Sequence, residues 1–256
     1  MVRLLIQAGA GILFLSLPVF PQSPKWTLTF AEEFDGKELS FPKWMPHDPW
    51  GHERNREGQA YVPDAIEVKD GVARITARRA RATYDGRERE FTSGMMTTFG
   101  SFAQTYGRFE IRCHVPAGRG VEPKFWLLPV PTGEIPSIDV LDVIGSEPSR
   151  ALFANRWGDE KTERSFSGSY NVGDLSNGFH TIAIDWDENR IVWFVDGKER
   201  FRSTDGVPRQ PMYLAASLAV GGIQAKYPDQ SVPFPAVFEI DFIRVYQLES
   251  RMTGAR

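Results

Sequence analysis

Residues 119–145 contain the side chains in this sequence that are best suited to chemistry. The segment reads as two strands joined by a connection rich in proline and glycine. In the second strand Ser137 and Asp139 share a face, whereas Asp142 reaches that face only if a one-residue bulge follows Val140. Two carboxyl groups and a hydroxyl would then converge, a set that can transfer protons. The same spacing also suits edge or turn aspartates without a function, so both interpretations stay open.

A second polar face lies on the predicted strand 108–115. Its apolar residues point one way, while Glu110, Arg112 and His114 point the other. Such a face is either solvated or lines a polar groove. The alternation also predicts that Cys113 is a small buried side chain without a role.

The elements that must position these residues are short runs of alternating apolar and polar residues, separated by Gly, Pro, Asn and Asp clusters. Residues 181–186 and 191–195 predict a hairpin, and Asp196-Gly197 predicts the next turn. No long amphipathic helix, internal repeat or linker interrupts this pattern. We therefore expect an all-β sandwich or barrel in a single domain over residues 24–249, followed by a polar tail at 250–256.

Composition restricts the function classes. The chain has 256 residues, a formal net charge of −3 and one cysteine. The single cysteine excludes an intrachain disulfide framework and a multi-cysteine zinc site. The balanced charge gives no reason to expect nucleic acid as a partner.

The first 23 residues have the layout of a secretory signal peptide. Arg3 precedes a largely apolar run, and no acidic residue occurs before Glu32. We expect a secreted or periplasmic protein. Because the cleavage site is poor, an uncleaved N-terminal anchor or a buried N-terminal helix remains an alternative.

Matches along nearly the whole chain carry a family resemblance. They are FAEEFDG (30–36), YGRFEIR (106–112), FWLLP (125–129), WFVDG (193–197), LAVGG (218–222) and DFIRVY (241–246). The sequence resembles glycoside hydrolase family 16, the laminarinase and lichenase type of endoglycanase. That resemblance implies a two-sheet antiparallel β-sandwich, a concanavalin-like jelly roll, with a concave cleft for a β-linked polysaccharide.

The family's catalytic motif, Glu-x-Asp-x-x-Glu, is altered in this chain. The resemblance places Ser137 at the nucleophile, Asp139 at the middle acid and Asp142 at the acid/base. A serine hydroxyl without an adjacent base is a weak nucleophile and supplies no negative charge to the transition state. An aspartate is one methylene shorter than glutamate, and a misplacement of roughly 1 Å costs about 100-fold. We do not expect Glu134 to compensate, because it lies in the connection rather than on the strand.

Two further departures lie beside the motif. Residues 134–136 stand where the family commonly has a tryptophan, and Arg156 stands where it has a histidine. Arg156 would place a permanent cation near Asp139 and Asp142. It forms either a structural ion pair or a contact for an acidic glycan.

The rest of the implied cleft is better preserved. The resemblance assigns sugar contacts to Asn55 and Glu57, to the pair Glu110 and Arg112, and to Trp126 as an aromatic platform. The alternatives are core packing for Trp126 and a cross-strand ion pair for Glu110 with Arg112.

One metal site is implied by the resemblance alone. Many members hold a structural calcium, and its ligands map to Glu33, Gly71 and Asp241. Oxygen ligands of this kind suit Ca²⁺. No cofactor is required for activity.

These observations predict a monomeric protein that binds a β-linked polysaccharide, either a β-1,3 or mixed-linkage glucan or an acidic exopolysaccharide. Hydrolysis is expected to be weak or absent. The alternatives are an active endo-β-glycanase with an altered mechanism and a structural jelly roll without a glycan ligand.

Overall fold

The computed structural model describes residues 25–52, 54–131, 133–159 and 161–249. The expectations for residues 1–23 and for the tail at 250–256 lie outside the described residues.

The described chain is built almost entirely of strands. In chain order they are β1 Trp26–Glu32, β2 Gln59–Tyr61, β3 Ile66–Lys69, β4 Val72–Ala77, β5 Ala82–Tyr84, β6 Arg87–Arg89, β7 Phe91–Ser93, β8 Met95–Thr97 and β9 Gly107–His114. They continue with β10 Val121–Pro129, β11 Ser137–Val143, β12 Arg150–Trp157, β13 Arg164–Asn171, β14 His180–Trp186, β15 Ile191–Val195, β16 Lys198–Ser203, β17 Met212–Val220 and β18 Ala236–Leu248. A 3₁₀ helix covers Pro63–Ala65, and a one-turn α-helix, α1, covers Gly222–Ala225. Within the described residues no helix is long and apolar enough to cross a membrane.

Fourteen of the eighteen strands form two antiparallel sheets, while β2 pairs with β7 in parallel and β5 pairs with β6 in a separate antiparallel ribbon. The eight-stranded sheet runs in the order β16-β15-β14-β9-β18-β4-β3, and β1 also pairs with β18. The six-stranded sheet runs β13-β12-β11-β10-β17-β8. The expected all-β sandwich is therefore confirmed.

The predicted hairpin illustrates how local pattern determines these elements. Strands β14 and β15 pair from Trp186 with Ile191 onward, next to a turn at residues 187–190. Asp196 and Gly197 both have positive φ, 49° and 74°, as a two-residue turn of the type favoured in hairpins requires. The pattern predicted both turns.

The core fills the space between the sheets. Alternate residues of β9, namely Phe109, Ile111 and Cys113, are buried against the six-stranded sheet's inner residues, such as Phe125 and Leu214. The buried Cys113 agrees with its predicted place. Since the inner faces are almost entirely apolar, the charged residues of β10, β11 and β12 lie on the outer face of the six-stranded sheet, whereas the fully buried Asn155 lies on the inner face in register with Ile138.

Candidate functional site

A β-bulge brings the three motif residues to one face. Asp139 is opposite Ala154 on β12, but Asp142 is opposite Leu152. Two residues of β11 between these pairs therefore face a single residue of β12. Against β10 the same step leaves Val140 without a partner. The bulge that Asp142 needs in order to reach this face is therefore present at Val140.

A buried side chain of the opposite sheet bonds to the backbone beside the bulge. The indole Nε1 of Trp193 donates a hydrogen bond of 2.7 Å to the carbonyl oxygen of Asp139. Because that carbonyl is buried, the indole supplies the partner that it needs.

A cleft of about 280 Å³ opens on this face. The floor residues come from alternate positions of β10, β11, β12 and β17, and the rim comes from β2, β5 and the adjoining loops. The polar and aromatic lining comprises Trp50, His52, Arg54, Asn55, Glu57, Gln59, Tyr61, Tyr84, Glu122, Lys124, Trp126, Glu134, Ser137, Asp139, Arg156, Glu163, Ser217 and Gln224. Asn55, Glu57, Trp126, Arg156, Ser137 and Asp139 were expected in a cleft, and the structure brings them together.

Ser137 lies beside a residue that cannot act as its base. It is buried and directly opposite Arg156 in the register of β11 and β12. A guanidinium has no acceptor and stays protonated, so it cannot remove the hydroxyl proton. This arrangement supports the expectation of a weak nucleophile.

Arg156 neutralises the middle acid. Its Nη1 lies 2.6 Å from Asp139 Oδ2, and its Nε lies 3.8 Å from the carboxylate of Glu163. The charge of Asp139 raises the pKa of Arg156 above its ordinary value, against the opposing effect of burial. Of the two alternatives for Arg156, the structure contains the ion pair.

Asp142 is set behind the cleft surface, only 2% exposed. Its Oδ2 lies 3.6 Å from Lys124 Nζ, which in turn lies 2.6 Å from Glu122 Oε1. Burial raises the pKa of Asp142 well above its ordinary value; Lys124 opposes this, while Glu122 and Asp139 add to it. Asp142 therefore holds its proton more tightly than an exposed aspartate.

Sequence reasoning missed Glu122 and Lys124. A signal was available, because both alternate with Val121 and Phe125 in an otherwise apolar strand and share a face with Trp126. Their pattern was read as part of a plain strand.

The rim retains a polar network around Glu57. Its buried carboxylate accepts hydrogen bonds from Asn55 Nδ2 at 3.3 Å, Gln59 Nε2 at 2.8 Å and the Tyr61 hydroxyl at 3.1 Å. These donors fix the carboxylate without a cation, so it remains a hydrogen-bond acceptor at the wall of the cleft.

Trp126 both packs against the protein and lines the cleft. It packs against a small apolar cluster of Leu128, Tyr213 and Ala215, and it also lines the cleft. One side of the ring is therefore supported by the protein while another part reaches the cleft. A supported ring suits the apolar face of a sugar.

Glu134 lies outside the strands, as expected, yet it reaches the cleft mouth. Its exposed carboxylate accepts a 2.6 Å hydrogen bond from Arg54 Nε, and Arg54 stacks 4.2 Å from the ring of Trp50. Glu134 is thereby paired across the cleft rather than directed at Ser137.

The placement of Glu110 and Arg112 in the cleft was wrong. Both lie on β9, in the eight-stranded sheet, and point away from the core on the opposite side of the sandwich from the cleft. Glu110 bonds Arg108 Nε at 3.2 Å and the Tyr246 hydroxyl at 3.0 Å, while Arg112 pairs with Asp241. They do not pair with each other either. Alternation shows which residues share a face, but it does not identify the sheet to which the strand belongs.

Two of the three expected calcium ligands, Glu33 and Asp241, are paired with arginines. Arg244 binds both carboxylate oxygens of Glu33 at 2.7 Å, Arg112 pairs with Asp241, and Gly71 lies in the β3–β4 turn. In the described residues no three His, Cys, Asp or Glu side chains gather as a metal site would require. This arrangement does not fit a calcium ion, so calcium stays a prediction that requires both arginines to move.

A two-sheet sandwich with an open cleft lined by acids and aromatic rings on one sheet is a scaffold for holding an extended sugar chain. The comparisons identify the family: the sequence model of glycosyl hydrolases family 16 matches residues 58–237, and the chain belongs to this family.

Individual relatives agree with this assignment. The endo-1,3-1,4-beta-glycanase EglC of Rhizobium meliloti (strain 1021) is 34% identical over 245 residues, covering 88% of this chain and 52% of the relative. The beta-glucanase of Rhodothermus marinus is 33% identical over 258 residues, covering 88% of this chain and 87% of the relative. The X-ray structure of the laminarinase from Rhodothermus marinus matches with a TM-score of 0.75 at 32% identity, over 88% of this chain and 98% of that one. The chain spans about half the length of the first of these relatives.

Proposed function

We propose that the cleft binds a β-linked glucan of the β-1,3 or mixed-linkage class and that the chain hydrolyses it weakly or not at all. The observation that carries the proposal is the state of the three motif residues. Ser137 is opposite Arg156 in the strand register, Asp139 is neutralised by Arg156, and Asp142 is set behind the surface. An oxocarbenium-like transition state would receive little negative charge from such a site.

The charges of the cleft favour a neutral glycan over an acidic exopolysaccharide. Five carboxylic side chains line the cleft, against three from Lys and Arg. Each of those three cations, Arg54, Lys124 and Arg156, is already paired with a carboxylate. An anionic sugar would have to displace a carboxylate to reach a cation, at a cost in desolvation and lost pairing.

The choice of glycan is tested by calorimetry with laminarin, lichenan and a carboxymethylated β-glucan. We expect the neutral glucans to bind more tightly. Tighter binding of the carboxymethylated glucan would overturn the preference for a neutral ligand, and no binding of any of the three would overturn the proposed function.

The aromatic platform gives a sharper prediction. Trp126→Ala should weaken binding of laminarin about tenfold, because a supported ring that stacks on a sugar contributes on the order of 1 kcal/mol. The matched control is Trp26→Ala on β1 of the other sheet, which should leave affinity unchanged. If Trp126→Ala bound laminarin as tightly as the natural chain does, Trp126 would have only a packing role.

Export belongs to the same proposal. Residues 1–23 would direct export, since they combine an early arginine with a largely apolar run. Fractionation of the producing cell, with mass analysis of the chain, tests both export and removal of the segment. A full-length chain confined to the cytoplasm would contradict this part.

A further inference from the structure

Three ionisable side chains form a buried cluster on the cleft floor. Glu122 and Lys124 lie on the outer face of β10, and Lys124 is directly opposite Asp142 on β11. Glu122 and Asp142 are 3% and 2% exposed. One ammonium therefore faces two carboxyl groups in a place with little water to screen them.

Two oxygens of this cluster lack a hydrogen-bond donor. They are Glu122 Oε1 and Asp142 Oδ1, both buried; Lys124 Nζ lies 2.6 Å from the former but outside hydrogen-bond geometry. Both carboxyls lie against the same ammonium, because Lys124 Nζ is 2.6 Å from Glu122 Oε1 and 3.6 Å from Asp142 Oδ2. Two adjacent buried carboxylates do not ionise together readily, and a proton between them would give both a partner.

We propose that Glu122 and Asp142 share one proton, with Lys124 fixing both carboxyls, and that Glu122 delivers this proton to the glycosidic oxygen of a bound glucan. This inference rests on the proposed function, since it needs a glucan in the cleft. Glu122 is the member that lines the cleft and is one methylene longer than Asp142, which is set behind the surface. It therefore supplies the reach that Asp142 lacks.

The charges around Glu122 and Asp142 are consistent with one proton on this pair. Besides Lys124, the groups that act on the pair are Asp139 from β11 and Arg156 from β12, which neutralise each other. Glu57, near β2, acts on Lys124 from the rim. Burial and the neighbouring carboxyls raise the pKa of Asp142, which agrees with a proton held at neutral pH.

The chemical step balances with water as the second reactant. The proton of the pair passes to the glycosidic oxygen, which keeps the electron pair of its broken bond to the anomeric carbon. A water oxygen forms the new bond to that carbon and gives up a proton, and solvent returns one proton to the pair. Since Ser137 does not activate the water, the step is slow.

Carbon-13 NMR of the side-chain carboxyls tests the shared proton without any substrate. In the natural chain we expect Asp142 to be protonated at a pH above that of the exposed carboxyls, and we expect the carbon-13 shift of the Glu122 carboxyl to respond in the same step. Glu122→Gln should move the Asp142 titration towards acid pH, because the second carboxyl is gone while Lys124 remains. Glu110→Gln, a substitution of a buried glutamate on the other sheet, is the control and should change neither resonance. Independent titration in the ordinary acid range would overturn the proposal.

Proton delivery is tested with azide. Azide is a small external nucleophile, and it replaces the nucleophile that Ser137 does not provide. The substrates are aryl β-laminaribiosides, and azide forms a glycosyl azide as the aryl group leaves. Methoxyphenol needs a proton to leave, so Glu122→Gln should lower its azide-supported release about 100-fold. Dinitrophenol leaves without a proton, so the same substitution should change its release only a few-fold. An equal loss for both leaving groups would overturn delivery by Glu122. Coupled titration in a chain that binds no glucan would count against the proposed function and not against the shared proton.

Discussion

The double variant Ser137→Glu with Asp142→Glu should hydrolyse laminarin or lichenan at least about 100-fold faster than the natural chain. Glutamate at 137 restores a carboxylate that can attack the anomeric carbon and balance its developing charge. Glutamate at 142 restores the methylene that brings its carboxyl towards the cleft. Release of reducing sugar, measured at glucan concentrations that saturate binding, checks this result.

The matched control carries glutamine at both positions, which reproduces the size of the new side chains without their charge. We expect no gain from it. Because Asp142 is buried beside Lys124, Ser137→Glu alone is the second variant, and it leaves that cluster unchanged. If neither glutamate variant gained activity while both still bound glucan, loss of the acids would not explain the low rate, and Arg156 beside Asp139 would be the remaining cause.

The second large effect concerns stability. Lys124→Met should lower the free energy of unfolding at neutral pH by roughly 3 kcal/mol, since it leaves two buried carboxyls without their cation. Burial by itself lowers the pKa of Lys124, but Asp142 and Glu122 more than offset this and raise it above the ordinary value. The ammonium is therefore charged throughout the neutral range, and removing it removes a full charge. Chemical denaturation measures the loss.

The pH dependence of that loss has a definite sign. The pKa of Asp142 is raised in the folded state, so the folded chain binds more protons than the unfolded one, and stability from this group falls as pH rises through the folded pKa. Lys124→Met raises that pKa further. The variant should therefore lose most stability near neutral pH and much less in acid, where both carboxyls are protonated.

Lys25→Met is the matched control for this measurement. Lys25 pairs with Glu249 at 3.3 Å on the surface, where its side chain is 78% exposed. Its loss should cost less than about 1 kcal/mol at any of these pH values. Equal effects of the two Lys→Met variants would contradict a buried charge cluster around Lys124.

The local patterns that repeat along the whole chain were sufficient to predict the strands and the all-β class, and the family resemblance added the two-sheet arrangement. Alternation predicted β4 over Val72–Ala77 and the β14–β15 hairpin, and turn residues placed their ends. The same alternation showed that Asp142 could share a face with Asp139 only through an extra residue after Val140, and the structure contains that bulge. Which strands are neighbours depends on contacts between residues far apart in sequence, and alternation carries no information about them.

That limit explains the errors in the candidate site. Glu110 and Arg112 have the right alternation for a groove, yet their strand lies between β14 and β18 in the other sheet. The cluster of Glu122 and Lys124 with Asp142 could not be predicted from β10 alone. It depends on the pairing of β10 with β11, which places Lys124 opposite Asp142.

The most direct test of the account measures glucan binding and reducing-sugar release on one preparation of the natural chain, beside an active family member. The account predicts saturable binding of laminarin or lichenan together with a turnover below about 1% of the active enzyme, as the combined loss of nucleophile and acid placement implies. Turnover comparable to that of the active enzyme would contradict it.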